Sequence, residues 1–174
     1  AKPLPLKLRY TDDDLTNGPY RFAKTGLRVA RLTSANFWTE VSYDSHDTTN
    51  NEFRFKADGP GVYGLICTAS RQPTNNASVA LYPNPFDMRK ATEMFILNLP
   101  AETSAVKIYA ADATLVKVLT GPVDLGYKEI DGKVFRSARW DGTGRDGRPV
   151  KMGLYFVEVA SASGTVVKKL MFIR

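Results

Sequence analysis

The sequence predicts an all-β protein built as two consecutive β-sandwich domains, and three observations carry that reading. Apolar and polar residues alternate over short runs, as in Leu4, Leu6, Leu8 and Tyr10 against Pro5, Lys7 and Arg9, which is the two-residue period of a half-buried strand. These runs are punctuated by Gly, Pro, Asn and Asp, the residues that make tight turns. No window of about ten residues keeps a 3.6-residue apolar period, so no long helix is expected.

The first run, 2–10, contains Pro3 and Pro5, which donate no ladder hydrogen bonds and so place it at a sheet edge. Asp12, Asp13 and Asp14 follow, then the turn signal Asn17-Gly18-Pro19. Runs at 27–32 and 37–43 read as strands, the first with Leu27 and Val29 opposite Arg28, the second with Phe37, Val41 and Tyr43 facing away from Trp38 and Glu40. The polar stretch 44–51 reads as a turn, and 52–57 alternates with Phe53 and Phe55 inward. Asp58-Gly59-Pro60-Gly61 then reverses the chain into the apolar run 62–69. Between 70 and 78 the composition changes to Arg, Gln, Pro, Thr and Asn, with little to bury. The expected division is therefore an N-terminal module at 1–70, a linker at 71–78 and a second domain at 79–174.

That second domain begins with Tyr82-Pro83-Asn84-Pro85-Phe86, where two prolines fix φ and push the residues before them into extended conformations. Runs at 93–99, 105–110, 115–119, 134–140, 154–160 and 165–173 follow. Counted with 79–82 they reach seven, the number of an Ig-like sandwich. A loop carrying Gly142, Gly144, Gly147 and Gly153 feeds the last two runs, which are rich in Val, Tyr and Phe and predict a terminal β-hairpin.

The length of 174 residues suits two small domains, since a piece of about 85 residues can bury a working core. The hydrophobic fraction of 43% and charged fraction of 24% are those of an ordinary globular chain. No apolar run approaches the ~20 residues of a membrane-spanning helix, so no membrane insertion is expected. The net charge of +6 is scattered without a basic run. It includes alternating positions such as Lys7 with Arg9 and Arg54 with Lys56, and the pair Lys168 and Lys169. Alternate residues of a strand share a face, so these read first as the wet side of a sheet, with an anionic polysaccharide or nucleic acid partner as the other reading. The single cysteine, Cys67, lies in an apolar run and reads as a small buried hydrophobe. The chain begins at Ala1 without Met or a leader, which suggests a processed or excised fragment with any signal peptide upstream.

Several segments together carry a resemblance. Tyr82-Pro83-Asn84-Pro85-Phe86, Leu99-Pro100, Val106-Lys107-Ile108-Tyr109, Trp140-Asp141-Gly142, Asp146-Gly147, Val150, Gly153-Leu154-Tyr155-Phe156 and Lys168-Lys169 occur in an order that resembles one bacterial domain type. That type is the C-terminal sorting domain of type IX secretion substrates, with its relative, the Ig-like domain of flagellar hook-capping proteins. The likeness covers about residues 79–174. Two departures stand out: Ala111-Asp112-Ala113 replaces the family's Asp-x-x-Gly turn, and the loop 121–133 is longer than usual. More loosely, Leu8-Arg9-Tyr10-Thr11-Asp12, Asp13-Asp14-Leu15, Val29-Ala30-Arg31-Leu32, Phe37-Trp38 and Gly61-Val62-Tyr63-Gly64-Leu65 resemble a β-sandwich module often found ahead of such tails. The resemblance implies export across the outer membrane to the cell surface or beyond, with the tail recognised by the secretion machinery or a cell-surface component and then removed or used in attachment. The recognition residues it implies are Pro83, Asn84, Pro85, Gly153, Tyr155, Lys168, Lys169 and Arg174.

Candidate chemistry is sparse. His46 is the only histidine and lies between Asp44 and Asp47 in a stretch read as a surface loop, without the partners that catalysis or metal binding requires. Cys67 has no adjacent base to activate it. The adjacent carboxylates Asp12, Asp13 and Asp14 are calcium candidates, but turn formation explains them as well. In Asp141-Gly142-Thr143-Gly144-Arg145-Asp146-Gly147, an Arg at the fifth position argues against an EF-hand-like loop. Trp38 and Trp140 fit core packing, with a sugar-stacking platform as the alternative. Asn76-Ala77-Ser78 fits the N-glycosylation pattern but reads as linker. No nucleophile-base pair or phosphate loop is evident, so the expectation is a non-enzyme without cofactor. The alternatives are a structural subunit that forms a fibre or sheath by self-association through edge strands, and a carbohydrate-binding module.

Overall fold

The structure, a computed structural model, describes residues 3–16, 24–34, 36–67, 78–131, 133–162 and 164–174. The turn expected at 17–19 and most of the expected linker lie outside them. The described residues are almost wholly β, in sandwich-type sheets. The chain divides into two compact units, one of Ala1–Arg71 with Glu129–Val134, the other of Gln72–Lys128 with Phe135–Arg174.

In the first unit, β1 (Leu4–Arg9), β5 (Glu52–Ala57) and β4 (Tyr43–Asp47) form an antiparallel sheet in the order β1-β5-β4. β1 is the edge its prolines require. Leu6 and Leu8 turn toward Phe53, Phe55 and Ala57 in the unit's core, while Lys7 and Arg9 face outward. A second set of antiparallel strands joins β2 (Leu27–Ser34) to β6 (Val62–Cys67) on one side and β3 (Phe37–Glu40) on the other. Val29 and Leu27 of β2 complete that core with Tyr10 and Leu15.

Two expectations for this unit need correction. The stretch 44–51 is not simply a turn: Tyr43–Asp47 is a strand paired with β5 through a bulge. Polar side chains sit there because β4 is an edge: His46 stacks on Phe53, and the exposed Tyr43 meets Phe53 edge-on. The triple-aspartate stretch opens a short helix, α1 (Asp12–Thr16). Thr11 N–H donates to Asp14 Oδ2 (2.7 Å) and Asp14 N–H donates to Thr11 Oγ1 (3.2 Å), the reciprocal pairing of a capping box with Asp as the reaching acid.

The second unit carries a sheet ordered β11-β10-β14-β15-β8, built from β8 (Phe86–Asp87), β10 (Ala105–Ala110), β11 (Leu115–Thr120), β14 (Gly153–Ser161) and β15 (Gly164–Ile173). The expected terminal hairpin is β14–β15, in register from Gly153↔Phe172 to Ser161↔Gly164. β9 (Met94–Leu97) pairs antiparallel with β7 (Ala80–Tyr82) and with β13 (Lys133–Trp140). Ile96, Leu99, Ile108, Trp140, Val157 and Phe172 are among the buried side chains of this unit's core. The long loop expected at 121–133 instead contains one helical turn, α2 (Gly121–Asp124), and a strand, β12 (Leu125–Ile130). Tyr127 is buried in that strand; flanking Gly and Lys residues broke its alternation and hid it. The turn at 111–114 closes without a glycine. Ala113 takes φ +65°, and Asp112 Oδ1 accepts from Thr114 N–H at 3.0 Å.

Candidate recognition surface of the C-terminal unit

Four aromatic rings, each from a different segment of the resemblance or from the last strand, pack together beneath the surface. Phe172 lies 5.4 Å from Phe86, 5.8 Å from Trp140 and 6.0 Å from Tyr155 between ring centroids, and Trp140 lies 5.7 Å from Tyr155. Tilted and edge-on arrangements of this kind add to the burial of large apolar area. The polar ends of the rings are satisfied locally. Trp140 Nε1 donates to the Thr143 carbonyl (2.8 Å) and Tyr155 OH to the Lys151 carbonyl (2.6 Å), so the aromatic cluster also fixes the loop before β14.

The lead-in to this cluster lies along the outer edge of β15. The Tyr82-Pro83 and Asn84-Pro85 bonds are cis. Between them the Asn84 side chain acts as a substitute strand residue: its Nδ2 donates to the Lys169 carbonyl (3.0 Å) and its Oδ1 accepts from Met171 N–H (3.2 Å). β8 then takes over in parallel register, Phe86↔Phe172 and Asp87↔Ile173, and Met88 N–H donates to the Ile173 carbonyl at 3.0 Å. Asp87 closes this edge. Arg89 Nη2 and Nε reach its two oxygens at 2.7 and 2.9 Å, and this pairing lowers its carboxyl pKa to about 2.

Among the expected recognition residues, Asn84, Pro85, Lys169 and Arg174 are exposed and Pro83 is half-buried. Asn84 and Lys169 are in direct contact. Lys168 and Lys169 project to opposite faces of β15, with Lys168 half-buried on the core side. Tyr155 is buried in the aromatic cluster, and Gly153, at φ +153°, pairs with Phe172 at the start of β14. Their place is beneath the surface and at the hairpin's mouth.

Exposed apolar side chains share this surface. Val167 is 52% and Met171 44% exposed on the outer face of β15, flanking Lys169. Across the hairpin they meet Glu158 and Leu154, and Lys169 meets Phe156. The alternation of Val166, Lys168, Leu170 and Phe172 against Val167, Lys169 and Met171 already encodes this outer row, but both rows are apolar and the sequence does not say which is wet.

The remaining candidates resolve individually. In the loop after Trp140, Asp141 Oδ1 accepts from Thr143 N–H (3.0 Å) and Oγ1 (2.7 Å), and Asp146 Oδ1 accepts from Arg148 N–H (3.0 Å). A cation is already supplied by the chain: Lys117 Nζ donates to the Gly144 carbonyl and Thr143 Oγ1, both at 3.3 Å. Asp12 is paired with Lys24 Nζ at 2.8 Å, which lowers its carboxyl pKa. Among the described residues no group of three or more His, Cys, Asp and Glu is arranged to hold a metal ion.

His46 is not a loop residue. It sits on β4, stacked 3.8 Å from Phe53 at 14°, with Nε2 2.9 Å from Tyr10 OH, and burial lowers its pKa. Cys67 is half-buried at the end of β6 rather than fully enclosed. Trp140 is 1% exposed and offers no sugar platform. Trp38 is half-buried, its Nε1 donating to Glu129 Oε2 at 3.3 Å within the first unit.

No protein-family model matches the sequence, and no curated protein matches it. Among solved structures the chain is similar to PorZ, described as an essential bacterial surface component of the type-IX secretion system of Porphyromonas gingivalis. The match has 18% identity and a TM-score of 0.46, and covers 84% of this chain and 16% of that one. It is also similar to dimeric latent PorU from Porphyromonas gingivalis, at 21% identity and a TM-score of 0.38, covering 88% of this chain and 13% of that one. The chain thus spans a small fraction of either protein.

Proposed function

We propose that this chain is the non-catalytic sorting and attachment region of a bacterial exported protein, ending at the cell surface or outside it. In this reading two consecutive Ig-like sandwiches are present. Residues 79–174, apart from Glu129–Val134, which belong to the first compact unit, form the domain that the secretion machinery or a cell-surface component recognises, and the N-terminal module precedes it.

The observation that carries the proposal is the seating of Asn84 on β15. It fixes Pro83, Asn84 and Pro85 against the exposed Lys169 and Met171, so that two segments of the resemblance, about 85 residues apart in sequence, form one rigid surface. Recognition by shape gains affinity when the recognised surface is already ordered, because less conformational freedom is lost on binding. The aromatic cluster under this surface supplies that order.

The test is a secreted reporter fused ahead of the whole chain, expressed in a host that has a type IX system. The expected result is reporter outside the outer membrane, with loss of export when residues 79–174 are deleted. A reporter retained in the periplasm with the whole chain attached would count against the proposal.

A further inference from the structure

The first unit carries a cationic face that the secretion reading does not use. On the outer side of β1 and β5, Lys7 lies in register with Arg54, Pro5 with Lys56 and Arg9 with Glu52. The side chains of Lys7, Arg9, Arg54 and Lys56 are 54%, 74%, 59% and 64% exposed, while that of Glu52 is 4% exposed beneath them. Like charges directly across a ladder repel, and Glu52 offsets this. Its Oε1 accepts from Arg54 Nε (2.8 Å) and lies 3.3 Å from Lys7 Nζ, and its Oε2 accepts from Arg9 Nε (2.9 Å). One sunken carboxylate therefore holds three cations in a fixed array with their outer surfaces in water.

Among the described residues, the acids beside this face lie on β4. Asp44 is 3.9 Å from Lys56, and Asp47 is engaged by Asn50 and by Thr49 N–H. Among the described residues, the exposed charged side chains on the outer side of β1 and β5 are Lys7, Arg9, Arg54 and Lys56.

We propose that this face binds an acidic polysaccharide, a polymer bearing repeated carboxylate or sulfate groups. Alternate residues of a strand stand about 6.8 Å apart and neighbouring strands about 4.8 Å apart, so the four cations form a flat grid that can meet several anionic groups of an extended chain. Guanidinium groups match carboxylate and sulfate oxygens in paired hydrogen bonds. Nucleic acid is the poorer fit. Single strands are held by stacking bases on aromatic side chains, and the rings here are on the other side of the sheet: Phe53 and Phe55 are buried, and Tyr43 and His46 pack on Phe53.

The test uses the full chain on immobilised heparin and polygalacturonate as sulfated and carboxylated probes, with dextran as the neutral polymer and oligo-dT as the nucleic acid arm. Binding to both acidic polymers but not dextran, weakening with salt, is expected. Lys7→Gln with Lys56→Gln lowers affinity about tenfold through two lost surface charge contacts. The charge-matched pair Arg145→Gln with Lys151→Gln, exposed residues that are not on the β1–β5 face, removes only screened long-range attraction and lowers it by less than about twofold. Near-UV circular dichroism confirms that both variants fold. Equal losses in the two variants, tighter binding to oligo-dT than to either polysaccharide, or no binding to either acidic polymer at low salt would each overturn the proposal.

Discussion

Adding one methyl group at Gly142 tests whether the aromatic cluster of the second unit is as closely packed as its geometry indicates. Gly142 has φ +76°, and a Cβ built there meets Phe172 Cε2 at 2.9 Å, Phe172 Cζ at 3.2 Å and Met88 Sδ at 3.3 Å. Phe172 is fully buried among Phe86, Trp140 and Tyr155, so its ring has little room to retreat. Gly147 is the internal control: its φ is +73° with nothing within 4 Å of the added atom. Gly147→Ala carries only the left-handed backbone cost of about 1–2 kcal/mol, whereas Gly142→Ala adds an overpacking cost of about 1–3 kcal/mol. Urea unfolding followed by tryptophan fluorescence, in a Trp38→Phe background so that Trp140 alone reports, separates the two. At a urea slope of about 2 kcal/mol per molar, typical of small proteins, Gly142→Ala should unfold about 0.5–1.5 M earlier than Gly147→Ala. Equal midpoints, or the reverse order, would refute close packing of Gly142 against Phe172.

Three further outcomes follow from the side-chain geometry. Asn84→Ala removes both bonds to β15, and the Met171 amide should exchange with solvent about tenfold faster. Asn84→Asp, which keeps an acceptor for Met171 N–H, should preserve most of that protection; an unchanged rate in Asn84→Ala would show that the amide bridge holds nothing. Glu52 is held at about 2 against an ordinary 4.5, first by Arg54 and then by Arg9. Because the folded value is the lower one, its contribution is complete above pH 4.5 and is lost as pH falls from there through about 2. The stability gap between the protein and Glu52→Gln should therefore shrink over that window, and a gap that is constant with pH would exclude the ionic clamp as its source. Since Lys117 already occupies the oxygens of the loop after Trp140, millimolar calcium should leave the melting temperature unchanged, and a rise of several degrees would show a cation site there.

The sequence disclosed the strands that are half-buried and concealed those that are not. Glu52–Ala57 and Ala105–Ala110 alternate apolar with polar because one face meets a core and the other water, and their limits are the ones the period predicts. β4 was hidden because an edge strand contributes few apolar side chains: Tyr43 and His46 reach Phe53 while Asp44, Ser45 and Asp47 stay outward or turn-bound. β12 was hidden for the opposite reason, with Gly126, Tyr127 and Lys128 all buried in sequence so that no alternation survives. The site divided in the same way. Proline spacing marked 82–86 as a stiff lead-in, but that Asn84 would take the role of a strand residue on β15 is a contact between distant segments, and no local period encodes it. The pairing of Lys168 with Lys169 as one basic feature reads adjacency in the chain as adjacency in space, and a strand separates neighbours to opposite faces.

An open strand edge invites pairing with other chains, and proteins that remain unpaired usually blunt it. β15 is blunted at its C-terminal half, where Asn84 occupies the positions of Lys169 and Met171, and β8 with Met88 occupies those of Phe172 and Ile173. A fibre built by extending this half of the edge would have to displace all of those bonds. What this sealing leaves outward is side chains: Lys169 between Val167 and Met171, beside Asn84 and Pro85. If the proposed sorting role holds, substituting Lys169 or Met171 should reduce export of the fused reporter while leaving amide exchange along β15 unchanged.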